Sequence, residues 1–555
     1  MQQNLSRLTS SSATAFLCAV LCVYPLYIDR FSNLGVTKFT GCFTLFLLFS
    51  LWLGACTAIG AHAPAGRYRA ARRDLTLWGV AAFVVTTLVS TVFSLSSLSS
   101  VWGLGGYYGG LMMVLFTAAG YWCIRSYADA GDFGFLTLGV GVTSSLVAVF
   151  YLLNIFNIDL IGTYANTAVV ERAQFFSTLG QKDFNASFFA VTLPLVFYAF
   201  LFAPTRRRAA AAGVPAFFGA LALAIVDSEA LTLGIAAAAM VMVCHRDFTT
   251  RQLRRTALVA AAFFGWAWTM HLLRASVYTQ GGTALLAKLG DPRVALPGAA
   301  VCLVLWALLA LRSRSGRAEV SLCLPGRVLT GAVLVLAVAA VAVANCLPTL
   351  PLPGRLHNLL VFSDDWGTYR GTAWRIAFST WADGSWWRKL IGVGPGMMHE
   401  AVAAWAGDAV TPRMNTFYAA HNEYLEQLLT TGLLGLAAWV LLIAAHLRRG
   451  FANWQRPGVA PVLLALCSYL AQSVVSIRVS MVFPLVMLLF GLLTAFTSPS
   501  LPAPSERRPA GRKQHPPKPL TRRQRVVRYA KITAAAIAGM AVSGALSGLL
   551  FWFLL

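Results

Sequence analysis

Residues 414–446 read MNTFYAAHNEYLEQLLTTGLLGLAAWVLLIAAH, so a titratable imidazole and its polar neighbours lead into an apolar run long enough to cross a bilayer. If one helix runs through this stretch, His421, Tyr424, Leu425 and Leu428 share a face by the i, i+3, i+4, i+7 rule. His421 then stands one to two turns outside the hydrocarbon, at the depth where a lipid-linked head group sits. An imidazole with a pKa near ~6.5 is able to take a proton from a hydroxyl at neutral pH. A lone histidine at a helix end is also a common polar cap, and both readings stand on these residues alone.

Guanidinium groups come next. DWGTYRGTAWR at 365–375 supplies Arg370 and Arg375, and a helix starting near Gly371 would align Arg375 with Ser379 and Asp383. Such groups bind phosphate in two-pronged fashion and never lose their charge, which suits a pyrophosphate leaving group. Snorkelling to phospholipid is the alternative. IGVGPG at 391–396 carries three glycines but no P-loop lysine, so a plain turn is favoured over an anion cradle. Two other loops add polar groups. ERAQFFSTLGQKDFNASFFAVTLPL holds Glu171, Arg172 and Lys182, with Asp183 and Asn185 entering the next helix. VDSEALTLG at 226–234 holds Asp227 and Glu229, acids that are costly at a membrane boundary unless the turn reaches water.

The elements that must position these groups follow from composition. Of 555 residues, 58% are hydrophobic and 12% charged, with a mean hydropathy of +0.67. That excludes a soluble fold. Fifteen apolar runs of spanning length recur along the chain. The expected fold is an all-α polytopic membrane helix bundle of about 15 transmembrane helices, range 12–15, with one large outer loop carrying short helices. The first run has no small-residue cleavage site after Tyr27-Ile28-Asp29, so it reads as a span rather than a signal peptide.

The net charge of +24 does not point to nucleic acid. With alternate loops assigned to opposite sides and the N-terminus inside, the whole excess falls on the inner loops, and acids and bases balance outside. RYRAARR at 67–73, RRR at 206–208 and RRQRVVR at 522–528 therefore read as topology signals, with a lipid head-group role open for the last. The ten cysteines show no CxxC pair and no Cys/His metal spacing, and no disulfide framework is expected.

Five regions are expected: an N-terminal bundle at 1–348, a large extracytoplasmic loop at 349–427, three C-terminal helices at 428–497, a basic Pro-rich cytoplasmic linker at 498–531, and a terminal helix at 532–555. The loop contains Trp366, Trp374, Trp381, Trp386, Trp387 and Trp405, which suit a membrane interface and also stack on sugars.

Several of these segments resemble one family. AHNEYLEQLLTTGLLGL at 420–436 resembles the His-(Asn/Ser)-x-(Tyr/Phe)-Leu segment and following glycine-bearing helix of the bacterial O-antigen ligase and O-antigen polymerase family. RGTAW at 370–374 is similar to its Arg-x-x-x-Trp element, and LIGVGPGMM at 390–398 to its Gly-x-Gly turn. STLGQKDFNASFFAVTLPL and WGLGGYYGGL are weaker likenesses. The resemblance spans about residues 95 to 450, and its more specific part is the ordered pair about fifty residues apart.

The resemblance implies a metal-independent, inverting glycosyltransferase of the cell membrane. It would take a glycan from undecaprenyl diphosphate on the outer face and pass it to an acceptor hydroxyl on a glycan, lipid or wall polymer. By analogy His421 would be the general base. Arg370, Arg375, Arg413 and Arg172 would be diphosphate candidates, and Tyr424, Glu229 and Asn185 other substrate contacts. No cofactor and no nucleic-acid partner are implied; membrane lipids are. Many members carry Ser-Arg where this chain has Ser228-Glu229, so an expected arginine is absent, and Arg172, Lys182 or Arg413 are the candidates to replace it. A chain-growing polymerase of the same family is the alternative. A flippase would need charges deep in the bundle, and few lie mid-helix.

Overall fold

The structure is a computed structural model that describes residues 2–59, 74–103, 106–276, 288–347, 351–406, 418–498 and 521–554. The first half runs through α1 (Gln2–Cys18), α2 (Leu34–Ala58), α3 (Leu75–Val92), α4 (Ser97–Trp102), α5 (Leu111–Tyr127) and α6 (Phe133–Ile155). It continues with α7 (Lys182–Leu201), α8 (Arg206–Val226), α9 (Glu229–Val243), α10 (Thr250–Ser276), α11 (Pro292–Arg314) and α12 (Cys323–Cys346). Four short helices lie in the large loop: α13 (Gly354–Leu360), α14 (Trp366–Asp383), α15 (Trp386–Ile391) and α16 (Met398–Ala406). The chain then forms α17 (Glu423–Ala452), α18 (Val459–Gln472), α19 (Phe483–Thr497) and α20 (Arg522–Leu554). Among the described residues, 11 helices are long and apolar enough to span a membrane, and α9, α18 and α19 are shorter apolar helices. The protein is an all-α polytopic membrane bundle.

The core is built around α7, α18 and α19, which bury most of their side chains. By contrast, α11 and α12 bury only 6% of their spanning windows and so present apolar surface to lipid. Close helix crossings use glycine. A Cβ on Gly79 of α3 would meet the Leu442 backbone of α17 at 2.7 Å, so only glycine permits that approach. At the end of the bundle holding Asp74, buried charges are paired: Arg125 and Arg449 each lie 2.7 Å from its carboxylate.

Two expectations are corrected. The stretch from His421 to Leu447 is not one helix. His421 has φ +51, Asn422 is an N-cap whose Oδ1 accepts from the N–H groups of Tyr424 and Leu425, and α17 starts at Glu423. His421 therefore does not share a helix face with Tyr424, Leu425 and Leu428. A second break comes at Gly432, with φ 69 and ψ −173, inside the apolar run. At the other end, the basic segment expected as linker is helical from Arg522, because Arg528 pairs in two-pronged fashion with buried Asp132 and Tyr529 stacks on Phe135 at 4.3 Å. Most of the remaining linker, 499–520, lies outside the described residues.

The break at Gly432 shapes the site end. A kinked membrane helix frees carbonyls that must find partners within the protein. Here the 391–396 turn inserts and supplies them: Val393 N–H donates to Leu429 O at 3.2 Å and Gly394 N–H to Thr430 O at 2.9 Å. The Ser90 hydroxyl also donates to Thr430 O, at 2.6 Å. The three-glycine turn is thus a bracket for the kink, as the plain-turn reading favoured.

Candidate functional site

Next to this bracket lies a narrow polar cavity of about 50 Å³, lined by Tyr107, Tyr418, His421, Asn422, Glu423, Glu426, Gln427 and Arg478 among others. That volume holds a few waters but not a sugar ring. Its ceiling is the segment before α17. Asn422 caps the helix below it, and the Glu426 carboxylate reaches back to accept the Ala420 N–H at 2.7 Å. The cap and the clamp together fix the backbone on both sides of His421.

Burial lowers the His421 pKa below the ordinary imidazole value; Asp183 pulls it up and Arg370 pushes it further down. Burial thus favours the neutral form of the imidazole, the form that can act as a base. Asp183, on the first turn of α7, and Arg370, on α14, both lie within electrostatic reach of the ring. Tyr107 lies in the same field, its phenol pushed up by burial, by Asp183, by Glu426 and by Tyr418.

Arg370 follows three left-handed residues, Gly367, Thr368 and Tyr369, after which α14 is regular. Its Nη1 donates to Gly367 O at 2.8 Å and its Nη2 stands 3.9 Å from Asp183 Oδ2. Its Nε is buried with no protein partner among the described residues. An unspent N–H on a nearly buried guanidinium is suited to an anionic ligand. Lys182, next to Asp183, lies within reach of Asp227, Asp183, Glu229 and Arg370. Segments far apart in sequence, at 183 and 370, thus come within reach of His421, and 227–229 within reach of Lys182.

The other predicted site residues are placed elsewhere or otherwise engaged. Arg375 makes a two-pronged pair with Asp364 at 3.0 and 2.8 Å, and both side chains are mostly exposed, at 66% and 61%. Arg172 lies over the Tyr164 ring, 5.2 Å from its centroid. Asn185 is fully buried, and its amide NH₂ donates to the carbonyls of Phe176, Gly180 and Gln181 while its oxygen accepts from Ser177. It builds the hairpin ahead of α7 rather than facing the cavity. The Tyr424 hydroxyl donates to Leu470 O, and Glu229 is exposed at the start of α9. Arg413 lies outside the described residues.

Arg478, which the sequence reading passed over, is a cation of this cavity. Its Nε binds Glu423 Oε1 at 2.6 Å, and Tyr469 donates to Glu423 Oε2 at 2.9 Å. The guanidinium packs against the rings of Phe83, Trp439 and Phe483, with its carbon 5.4, 4.9 and 4.5 Å from their centroids. A signal existed: Arg478 is the lone charge in the short turn between the apolar runs 459–477 and 480–497.

Residues 283–440 match the family model for O-antigen ligase. This stretch is similar to O-antigen ligases. No curated protein matches the chain. The matched stretch contains Arg370, His421 and both halves of the glycine bracket, whereas Tyr107, Lys182, Asp183 and Arg478 lie outside it. Segments outside that stretch therefore complete the polar cluster.

Proposed function

We propose that this protein is a membrane glycosyltransferase that moves a glycan from a polyprenyl diphosphate, undecaprenyl diphosphate by the family resemblance, to an acceptor hydroxyl on the outer face of the cytoplasmic membrane. The observation that carries the reading is the convergence of Arg370 and His421 on the field of Asp183, from segments about fifty residues apart. Arg370 holds the diphosphate through its unspent N–H, and Lys182 supplies the second cation in place of the arginine missing at Glu229. His421 accepts the proton of the acceptor hydroxyl as its oxygen attacks the anomeric carbon. The carbon–oxygen bond to the diphosphate breaks from the opposite face, which inverts the configuration, and the diphosphate leaves on its lipid. Asp183 then faces a protonated imidazole and stabilises it.

Two further features support the reading. An apolar groove of about 480 Å³ among α7, α8, α9 and α10 includes Asp227, beside Lys182, and gives a polyprenyl chain a path next to the cation pair. The excess of basic loops on the other side accords with a cytoplasmic N-terminus and an outward-facing site.

The test is purified protein supplied with a lipid-diphosphate glycan and a set of hydroxyl acceptors, followed by product sizing. One block-length addition marks a ligase and a ladder a polymerase. His421→Ala should fold, because the side chain lies outside the apolar core, and should lose roughly 10²–10⁴-fold in turnover. Turnover near that of the unaltered protein in His421→Ala would refute the role given to the imidazole.

A further inference from the structure

A groove of about 890 Å³ lies at the opposite end of the bundle, between α1, α2 and α20. Its place follows from α1. Arg7 stands near the start of that helix, and the span it opens runs on to Leu26, where the Pro25 carbonyl accepts from Thr178 in the hairpin ahead of Asp183. The groove therefore shares no residue with the His421 cavity.

Its chemistry is two-sided. Leu48, Phe49 and Trp52 make an apolar wall. The Trp52 indole donates to Ser12 at 3.0 Å, a placement typical of a membrane interface. Arg7, Arg523 and Lys531 stand along the same groove, and all three are exposed. A fourth cation, Arg528, is neutralised by Asp132, with Nη1 and Nη2 at 2.9 and 2.7 Å from its two oxygens. No acidic residue lines the groove among the described residues, and no carboxylate pairs with Arg7, Arg523 or Lys531 there. Three cations above an apolar trough, with no counter-charge, complement an amphiphile with an anionic head and hydrocarbon tails.

We propose that this groove is a binding site for one anionic phospholipid, its phosphate held by Arg7, Arg523 and Lys531 and its acyl chains laid against Leu48, Phe49 and Trp52. The lipid bridges α1 and α2 to α20 and so ties the terminal helix to the bundle. A zwitterionic lipid of the same tails would bring its own cation against these three and bind more weakly.

The full-length protein in detergent would be titrated with phosphatidylglycerol and, separately, phosphatidylcholine of identical tails. Retained lipid would be counted by native mass spectrometry. Preferential retention of one phosphatidylglycerol is expected. Each basic side chain near an anionic head is worth roughly a five-fold preference, so Arg7→Gln, Arg523→Gln and Lys531→Gln should each lower it by about that factor. Arg522→Gln with Arg525→Gln removes two charges from the same helix outside the groove lining and should leave the preference unchanged. Equal retention of the two lipids by the unaltered protein would overturn the proposal without any variant. Equal loss in the Arg522/Arg525 control would overturn it too, since it would reduce the effect to a general surface field.

Discussion

Gly432→Ala is the sharpest test of how the site is held. The residue has φ 69 and ψ −173, a region open almost only to glycine, so alanine there costs roughly 1–3 kcal/mol in backbone strain. An added Cβ would also lie 2.3 Å from the carbonyl carbon and oxygen of Leu390 and 2.5 Å from the Ile391 nitrogen. These are backbone atoms, so no rotamer change relieves the clash. The 390–394 segment must move, and it is tied to the kink by Val393 N–H to Leu429 O and Gly394 N–H to Thr430 O. Losing two such bonds inside the protein costs about 1–3 kcal/mol each when the groups stay unsatisfied. The sum is roughly 3–9 kcal/mol, enough to threaten the fold. The assay is the fraction of protein that stays monodisperse after a heating series in detergent. Gly331→Ala is the control: it sits in α12 with open space around it and should be neutral or slightly stabilising. If Gly432→Ala resists heat as well as Gly331→Ala does, the bracket is not what supports the kink.

Three further outcomes are expected. The pH profile of kcat/KM should be flat through neutrality and fall in acid with a midpoint below ~6.5, because burial lowers the His421 pKa and protonation removes the base; a midpoint above that value contradicts the site. By the same linkage, the folded state resists charging this ring, so its contribution to stability is full above ~6.5 and is lost as pH falls through its lowered value. Arg370→Ala should weaken donor binding more than acceptor binding, and Arg370→Lys should not rescue it fully, since lysine lacks the planar fork; the Arg370→Ala/His421→Ala double variant should be far less impaired than the product of the singles, and simple multiplicativity in turnover assays would show independent roles. Glu426→Gln should retain most activity, because an amide oxygen still accepts the Ala420 N–H, whereas Glu426→Ala should lose roughly ten-fold or more as the backbone beside His421 loosens; equal loss in both would mean that the charge, not the clamp, matters.

The sequence by itself determined the class of molecule. Hydrocarbon thickness fixes the length of an apolar run, so each of the fifteen runs became a helix, α5 included. Arg370 and His421 could also be singled out as candidates from the sequence, by residue type and by their order in the family resemblance, and the structure brings Arg370 within electrostatic reach of the ring. What the sequence did not contain was the path between them. His421 reads as part of a helix because its neighbours are good helix formers, yet the Asn422 cap, the Glu426 clamp and its left-handed φ take it out of the helix. Gly432 sits in an apolar run where a glycine is ordinary, and only the inserted 391–396 turn makes it a break. Arg375 and Arg172 looked equal to Arg370 as cations, but Asp364 and the Tyr164 ring engage them elsewhere. Arg478 stood unremarked until the fold set it against Glu423. Local pattern reports on the solvent each segment prefers, and the membrane makes that signal strong. Which charge meets which depends on contacts between helices hundreds of residues apart, and those are decided only when the whole bundle packs.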